Sequence, residues 1–269
     1  MLQFPHIDPV IFRIGPFAMR WYGLMYILGF LASYGLTVYQ FRGGRKPGIP
    51  REAVDDLFFY LIIGLIVGAR LGYAVFYNLG FYIDNPLEVF MVWHGGMSFH
   101  GGLIGAFIAG VIIIIRKNLP LFTTVDLIIP TAPVGICLGR IGNFINGELF
   151  GKPADVPWAM VFPQGGPVPR HPSQLYEAFF EGLLLFVILW FYKDRKKREG
   201  EVFALFLILY GAFRTFCEFF RLPDTQLGHV LGPFSMGQVL SLIMVLLGAA
   251  LMFLYLPKRG KSKNSVSTV

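Results

Sequence analysis

"VDLIIPTAPVGICLGRIGNFINGELFG", Val125 to Gly151, poses the question on which the fold turns. Its first part, Val125–Ile145, has the ~20 largely apolar residues that a helix needs to cross a hydrocarbon core. Pro130 and Pro133 interrupt it, however, and Gly135, Gly139 and Gly142 loosen it further. Arg140 and Asn143 lie within it, and Asn146 and Glu148 follow as it ends. A broken helix persists at membrane depth only where protein or a wet cavity re-satisfies its backbone. An arginine there costs at least ~2.5–3.5 kcal/mol on insertion scales, so it faces a cavity or a partner. The stretch predicts a membrane helix turned toward a polar interior.

Outward from this stretch the chain keeps the same character. Of its 269 residues 55% are hydrophobic and only 14% charged, with a mean hydropathy of +0.61. Soluble domains carry roughly 25% charged residues, so a soluble fold is excluded. Seven segments can span: Arg20–Phe41, Val54–Tyr77, Met97–Ile115, Val125–Ile145, Gln174–Tyr192, Val202–Phe220 and Met236–Leu256. No fixed-period repeat is visible, which gives an inverted-repeat transporter no support. The expected architecture is an all-α polytopic membrane protein. About seven transmembrane helices surround a polar cavity in a single integral domain, residues 1–269.

The formal net charge of +7 falls in short clusters between apolar runs, so it reads as topology rather than nucleic-acid binding. Arg42, Arg45, Lys46 and Arg51 fill the first loop, whereas Asn78–His94 holds no lysine or arginine. Arg116 and Lys117 follow the third span, and Lys193, Arg195, Lys196, Lys197 and Arg198 follow the fifth. The positive-inside rule then places the N-terminus outside and the C-terminus in the cytoplasm. Residues 146–173, rich in Pro and Gly, become an irregular extracytoplasmic head or lid. The tail, residues 257–269 with Lys258, Arg259, Lys261 and Lys263, is expected to lie on the anionic inner leaflet. "MLQFPHIDPVIF" lacks the features of a cleaved signal peptide. Cys137 and Cys217 sit in apolar runs and read as free thiols.

Four polar groups need an explanation. Arg140 and Asn143, three apart, share a helix face and would suit a phosphate, the guanidinium fork taking two oxygens. The bland alternative is an Arg140–Glu148 pair with bonded asparagines. Tyr210, Arg214 and Glu218 recur every four residues on one face, against the alternative of a local Arg214–Glu218 pair and a snorkelling Arg221. In "HGGMSFHGG", His94–Gly102, the glycines allow close approach at the start of a helix. His100 is the strongest general-base candidate there, with His94 and His171 as alternatives and helix packing as the plainer role. "RHPSQLYEAFFEG" reads as Ser173 capping a helix with Gln174 and Glu177 in its first turn, and Glu181 lies deeper. Arg20 and Trp21–Tyr22 read as an interfacial anchor, and Arg70 as paired with an acid or facing the cavity. Metal ligation finds no motif among the histidines and cysteines.

These residues carry a resemblance to the prolipoprotein diacylglyceryl transferases of bacterial inner membranes. "GRIGNFINGELFG" looks like that family's signature, and "RWYGLMYILGF", "GGMSFHGGLIG", "RHPSQLYE" and "YGAFRTFCEFFR" extend the match along nearly the whole chain. The resemblance implies transfer of a diacylglyceryl group from phosphatidylglycerol to the lipobox cysteine thiol of a preprolipoprotein signal peptide. A thioether and glycerol phosphate result, in the bilayer, with no cofactor. It also implies that His100, Arg140 and Arg214 are catalytic, and that Tyr22, Asn143 and Tyr210 join the two arginines in binding lipid. Asn146, Glu148, Gly151 and Glu218 would support them. A lipid or anion transporter with a phosphate-binding cavity is the competing expectation.

Overall fold

The computed structural model describes residues 2–5, 7–15, 17–42, 48–222, 229–231 and 234–255. Arg45, Lys46 and the basic tail at 257–269 lie outside the described residues. The chain falls into two compact units, one formed by Met1–Leu36 with Val125–Val269 and the other by Thr37–Thr124.

All seven apolar segments are helical. They are α1 (Trp21–Tyr39), α2 (Arg51–Tyr77), α4 (Phe99–Arg116), α5 (Leu121–Ile145), α6 (Ser173–Tyr192), α7 (Glu201–Glu218) and α8 (Met236–Leu254), with a short α3 (Leu79–Asp84) between the second and third. Six of them are long and apolar enough to cross a membrane; α7 is 18 residues long but carries Glu201, Arg214 and Glu218. The chain is thus a polytopic membrane protein. Short strands accompany the helices: β1 (Leu2–Gln3), β2 (Val10–Ile14), β3 (Phe17–Arg20), β4 (Met160–Val161), β5 (His229–Leu231) and β6 (Phe234–Ser235). Arg20, expected to open the first span, instead pairs with Val10 at the end of the β2–β3 hairpin.

In the first unit, α5 contains the interruption that its prolines foretell. Ile129–Thr131 forms one tight 3₁₀ turn between α-helical halves. The Thr131 hydroxyl donates to the Ile128 carbonyl at 2.7 Å, and Ser33 of α1 meets it at 2.6 Å. Side chains thus supply hydrogen bonds where the α-helical pattern lapses. In α6, Ala178–Leu184 widens into a π-helix, and Gly182 lies so close to Cys137 that a Cβ would come within 2.5 Å of its Cβ. Both cysteines are free, as expected. The segment 146–173 has no spanning helix. It holds β4, which runs parallel to β1, and its fully buried Phe162 meets Phe4, Phe144 and Phe150 at centroid distances of 5.2–6.3 Å. At the other end of α5, Asp126 accepts from the Gly200 and Phe203 amides at 2.7 and 3.0 Å and from Lys196 at 3.0 Å. It therefore caps the first turn of α7 from a different helix.

The second unit is built on α2 and α4, which approach through glycines. A Cβ on Gly68 would overlap the Gly101 carbonyl oxygen, and one on Gly105 would overlap that of Gly64. Only hydrogen at these positions permits such backbone contact, the usual device for packing helices without a hydrophobic drive. Ser98 caps α4 by accepting from the Gly101 amide at 3.2 Å. Arg70 corrects an expectation: rather than an acid or a cavity, its guanidinium serves backbone carbonyls. It donates to Val89 at 3.0 Å, Met91 at 2.9 Å and Gly96 at 3.1 Å, and also to Glu88 and Gly95. At 3% exposure, and 5.1 Å from the Tyr82 ring, it organises the loop ahead of α4.

Candidate active site

The polar residues of the first unit converge on α6. Glu177 and Glu181, one turn apart, have side chains with 0% exposure. Glu177 is not a first-turn dipole residue at a helix surface, as its position after Ser173 suggested; it is the hub of an ionic cluster. Its Oε1 accepts from Arg214 Nη1 at 2.8 Å and from Arg221 Nη1 at 3.3 Å, and its Oε2 lies 2.8 Å from Arg140 Nε. Arg140 on α5 and Arg214 on α7 therefore meet across a single carboxylate. Glu218 takes the other arm of Arg214, Oε2 to Nη2 at 2.7 Å, so the expected intrahelical pair is present as part of the larger cluster. Ser235 holds Glu218 in place at 3.1 Å while it also caps α8 in a reciprocal capping box with Gln238. Arg221 does not snorkel: it is buried at 8% exposure against Glu177.

Glu181 stands apart. Its nearest cations are Arg214 Nη1 at 3.5 Å and Arg140 Nη2 at 3.6 Å, and among the described residues neither of its oxygens finds a hydrogen bond. The carboxylates lie behind the arginines, whose side chains keep 19% exposure at Arg140 and 13% at Arg214. Tyr210, stacked on Phe206 at 5.5 Å, lies within electrostatic range of Glu181, Arg140, Arg214 and Glu177. The face predicted for α7 thus does turn to the cluster.

A second knot adjoins Arg140 along the chain. Glu148 Oε1 accepts from Asn143 at 2.8 Å and from Asn146 at 3.2 Å, and the Glu148 carbonyl accepts from Gln174 at 2.6 Å. Arg140 thus pairs with Glu177 and Glu181 rather than with Glu148. Ser173 is not a helix cap either; its hydroxyl donates to the Leu149 carbonyl at 3.0 Å, and Pro172 occupies the cap position. These two bonds pin the start of α6 to the turn that ends α5, where Gly147 and Leu149 take positive φ of 65° and 57°. Gly151 closes the turn: its amide donates to the His171 carbonyl at 2.8 Å, and a Cβ there would overlap the Phe220 carbonyl oxygen. On α1, the Tyr22 hydroxyl meets that of Tyr26 at 3.1 Å, and both Arg140 and Glu148 act electrostatically on Tyr26.

The three histidine candidates separate. His100 belongs to the second unit, exposed in the first turn of α4, with its ring edge-on to Phe99 at 5.7 Å. His94, in the same unit, bonds Glu88 at 2.8 Å. His171 contacts the Tyr176 hydroxyl at 3.1 Å, and burial pushes its imidazole below the ordinary histidine range. Among the described residues no group of three His, Cys, Asp or Glu could hold a metal.

The hub role of Glu177, the place of Tyr26 and the depth of Arg221 are what sequence reasoning missed. One signal was present: intramembrane arginines require counter-charges, and Glu177 and Glu181 lie four apart in an apolar segment. Chemically, two partly accessible guanidiniums braced by a buried acid, with a tyrosine beside them, make a site for an anionic oxygen-rich group such as a phosphate.

The sequence model of the family described as prolipoprotein diacylglyceryl transferase matches residues 9–254. A phosphatidylglycerol–prolipoprotein diacylglyceryl transferase of Geobacter sulfurreducens is 56% identical over 247 residues, covering 92% of this chain and 95% of the relative. Proteins of the same name from Bordetella parapertussis and Coxiella burnetii are 52% and 50% identical over 252 and 249 residues, with 93% and 92% of this chain covered and 96% and 95% of theirs. With the arginine cluster seated in its first unit and matches of this length, the chain belongs to the prolipoprotein diacylglyceryl transferase family.

Proposed function

We propose that the cluster around Glu177 binds the phosphate of phosphatidylglycerol and promotes transfer of its diacylglyceryl group to the cysteine thiol of a prolipoprotein. The observation that carries this is the convergence of Arg140 and Arg214, from separate helices, on one buried carboxylate with their guanidiniums still partly accessible. A purely structural cluster would spend its arginines wholly on partners. Here, among the described residues, Nη1 of Arg140 makes no ion pair, and Nη2 reaches Glu181 only at 3.6 Å.

In this reading the thiolate attacks the glycerol carbon that bears the phosphate, and the carbon–oxygen bond breaks with its electron pair passing to the phosphate oxygen. The thiol itself is a poor nucleophile, so its proton must first leave; His100 is the group assigned to take it. Arg140 and Arg214 offset the charge that develops on the departing glycerol phosphate, in a setting where a fixed donor acts far more strongly than in water. Asn143 and Tyr210 orient the phosphate, and Tyr22 contributes through Tyr26. Glu218 aims Arg214, while Glu148, Asn146 and Gly151 fix the turn beside Asn143. The thiol belongs to the lipobox of the incoming signal peptide, so neither Cys137 nor Cys217 reacts. Lipid and signal peptide reach the site sideways through the bilayer.

We place the protein in the bacterial inner membrane with β1 and segment 146–173 outside and the basic loops in the cytoplasm. The pairing of β1 with β4 supports a common side for these two segments, and the contact of Asp126 with Lys196 and Gly200 supports a common side for the loops they flank. The test is reconstitution of the purified chain with phosphatidylglycerol and a lipobox peptide. Thioether peptide and glycerol phosphate are expected in equal amounts; a transporter yields neither.

A further inference from the structure

Three guanidiniums (Arg140, Arg214, Arg221) and three carboxylates (Glu177, Glu181, Glu218) are joined in the cluster, so their formal charges cancel before any ligand arrives. A lipid phosphodiester adds one negative charge to this buried, balanced set. Burying an uncompensated charge is costly, and a group that can change protonation does so instead. The three acids are not equivalent in this respect. Glu177 is bridged by arginines at 2.8, 2.8 and 3.3 Å, and Glu218 is held by Arg214 at 2.7 Å and Ser235 at 3.1 Å. Glu181, with 0% exposure, has among the described residues neither oxygen hydrogen-bonded and no cation closer than 3.5 Å. It also sits on the π-helical stretch of α6, a distortion that recurs at functional sites.

We propose that Glu181 takes up a proton as the lipid phosphate binds between Arg140 and Arg214, and delivers that proton to the phosphate oxygen released when the carbon–oxygen bond breaks. The inference rests on the phosphate site proposed above. The balance is complete: sulfur–carbon bond formation and carbon–oxygen cleavage leave the electron pair on the phosphate oxygen, Glu181 protonates it, and the proton lost by the thiol passes to its own base. Glu181 then carries its charge again, which restores the balanced cluster and disfavours retention of the product anion. The groups that face Glu181 are Glu177 on its own helix, Arg140 on α5, and Tyr210, Arg214 and Cys217 on α7. Among the described residues, Glu218 and Arg221 join this set through Arg214 and Glu177. None of the other acids among the described residues combines full burial with two bare oxygens.

The experiment is calorimetric titration of the full chain in neutral detergent with phosphatidylglycerol, repeated at one pH in buffers of different ionisation enthalpy. About one proton taken up per lipid bound is expected; binding without proton uptake overturns the proposal. Glu181→Gln, a permanently uncharged mimic of the protonated acid, should bind lipid at least as tightly as the parent with no proton uptake. Its kcat should fall by about 10²-fold, the ordinary contribution of a general acid, with KM unchanged or lower, and the limb of the rate profile that falls at high pH should vanish. Weaker lipid binding by Glu181→Gln, or an unaltered kcat and pH profile, refutes the role. Should Glu181→Gln fail to fold, the buffer series on the unmodified chain still decides. Arg214→Lys tests the underlying site separately: undiminished lipid affinity there removes the phosphate from the cluster, whatever Glu181 does.

Discussion

Glu177→Gln keeps the shape of the hub and removes its charge. Three guanidinium nitrogens, at 2.8, 2.8 and 3.3 Å, then face an amide that carries no compensating charge. Removing one partner of a buried ion pair costs about 3–5 kcal/mol, because the other charge is stranded. Glu181 lies near enough to Arg140 and Arg214, at 3.6 and 3.5 Å, to recover part of this, which sets the expectation at about 3 kcal/mol. That is roughly a 10²-fold rise in the unfolded fraction. The assay is denaturant or thermal unfolding of the purified protein in detergent, alongside Glu199→Gln as control. Glu199 pairs with Lys196 at 2.7 Å but its side chain is 53% exposed, so its loss should cost less than ~1 kcal/mol. Transfer activity of Glu177→Gln should also collapse, since Arg140 and Arg214 lose their common brace. Equal stability of the two variants would refute the hub argument. A destabilised Glu177→Gln with full activity would leave the cluster structural and move the chemistry elsewhere.

Other substitutions probe different links. Arg214→Lys keeps the charge but cannot span Glu177 and Glu218 together, so transfer should fall by about 10²-fold or more in a peptide-lipidation assay. Gly68→Leu drives a side chain into the Gly101 carbonyl, where not even a Cβ has room, and should lower the yield of folded protein measured by monodisperse elution. Asp126→Ala strips two amides of their cap at the start of α7 and should cost about 2 kcal/mol in unfolding. Cys137→Ser with Cys217→Ser should retain transfer activity, because the reacting thiol arrives with the peptide; a folded but inactive double variant would show otherwise.

The helices were legible because each is an apolar run of spanning length, and the break in α5 because prolines cannot continue a regular hydrogen-bond pattern. The grouping of Tyr210, Arg214 and Glu218 was legible because a four-residue spacing fixes a shared face before any fold is known. Relations between helices were not. Glu177 reads locally as a residue near a helix start, and only the docking of α5 and α7 makes it a hub. Arg70 looks like an intramembrane charge in search of an acid; its partners are carbonyls, which every residue possesses and no sequence pattern marks. Asp126 caps a helix 74 residues beyond it, at Gly200, which no local capping signature reveals. Ser173 resembled a cap because serine before an acidic turn usually is one, yet the nearby Leu149 carbonyl claimed its hydroxyl.

The parallel pairing of Leu2–Gln3 with Met160–Val161 joins segments 158 positions apart in the chain. At a synthesis rate of roughly 5–20 residues per second, the first strand waits some 8–30 s for its partner to be made. For most of that interval Phe4 lacks Phe144, and throughout it lacks Phe162, as shelter. Biogenesis therefore includes a period in which the β1 strand has been made while its docking surface is still being translated, and that is the interval in which factors guarding nascent chains could act on it.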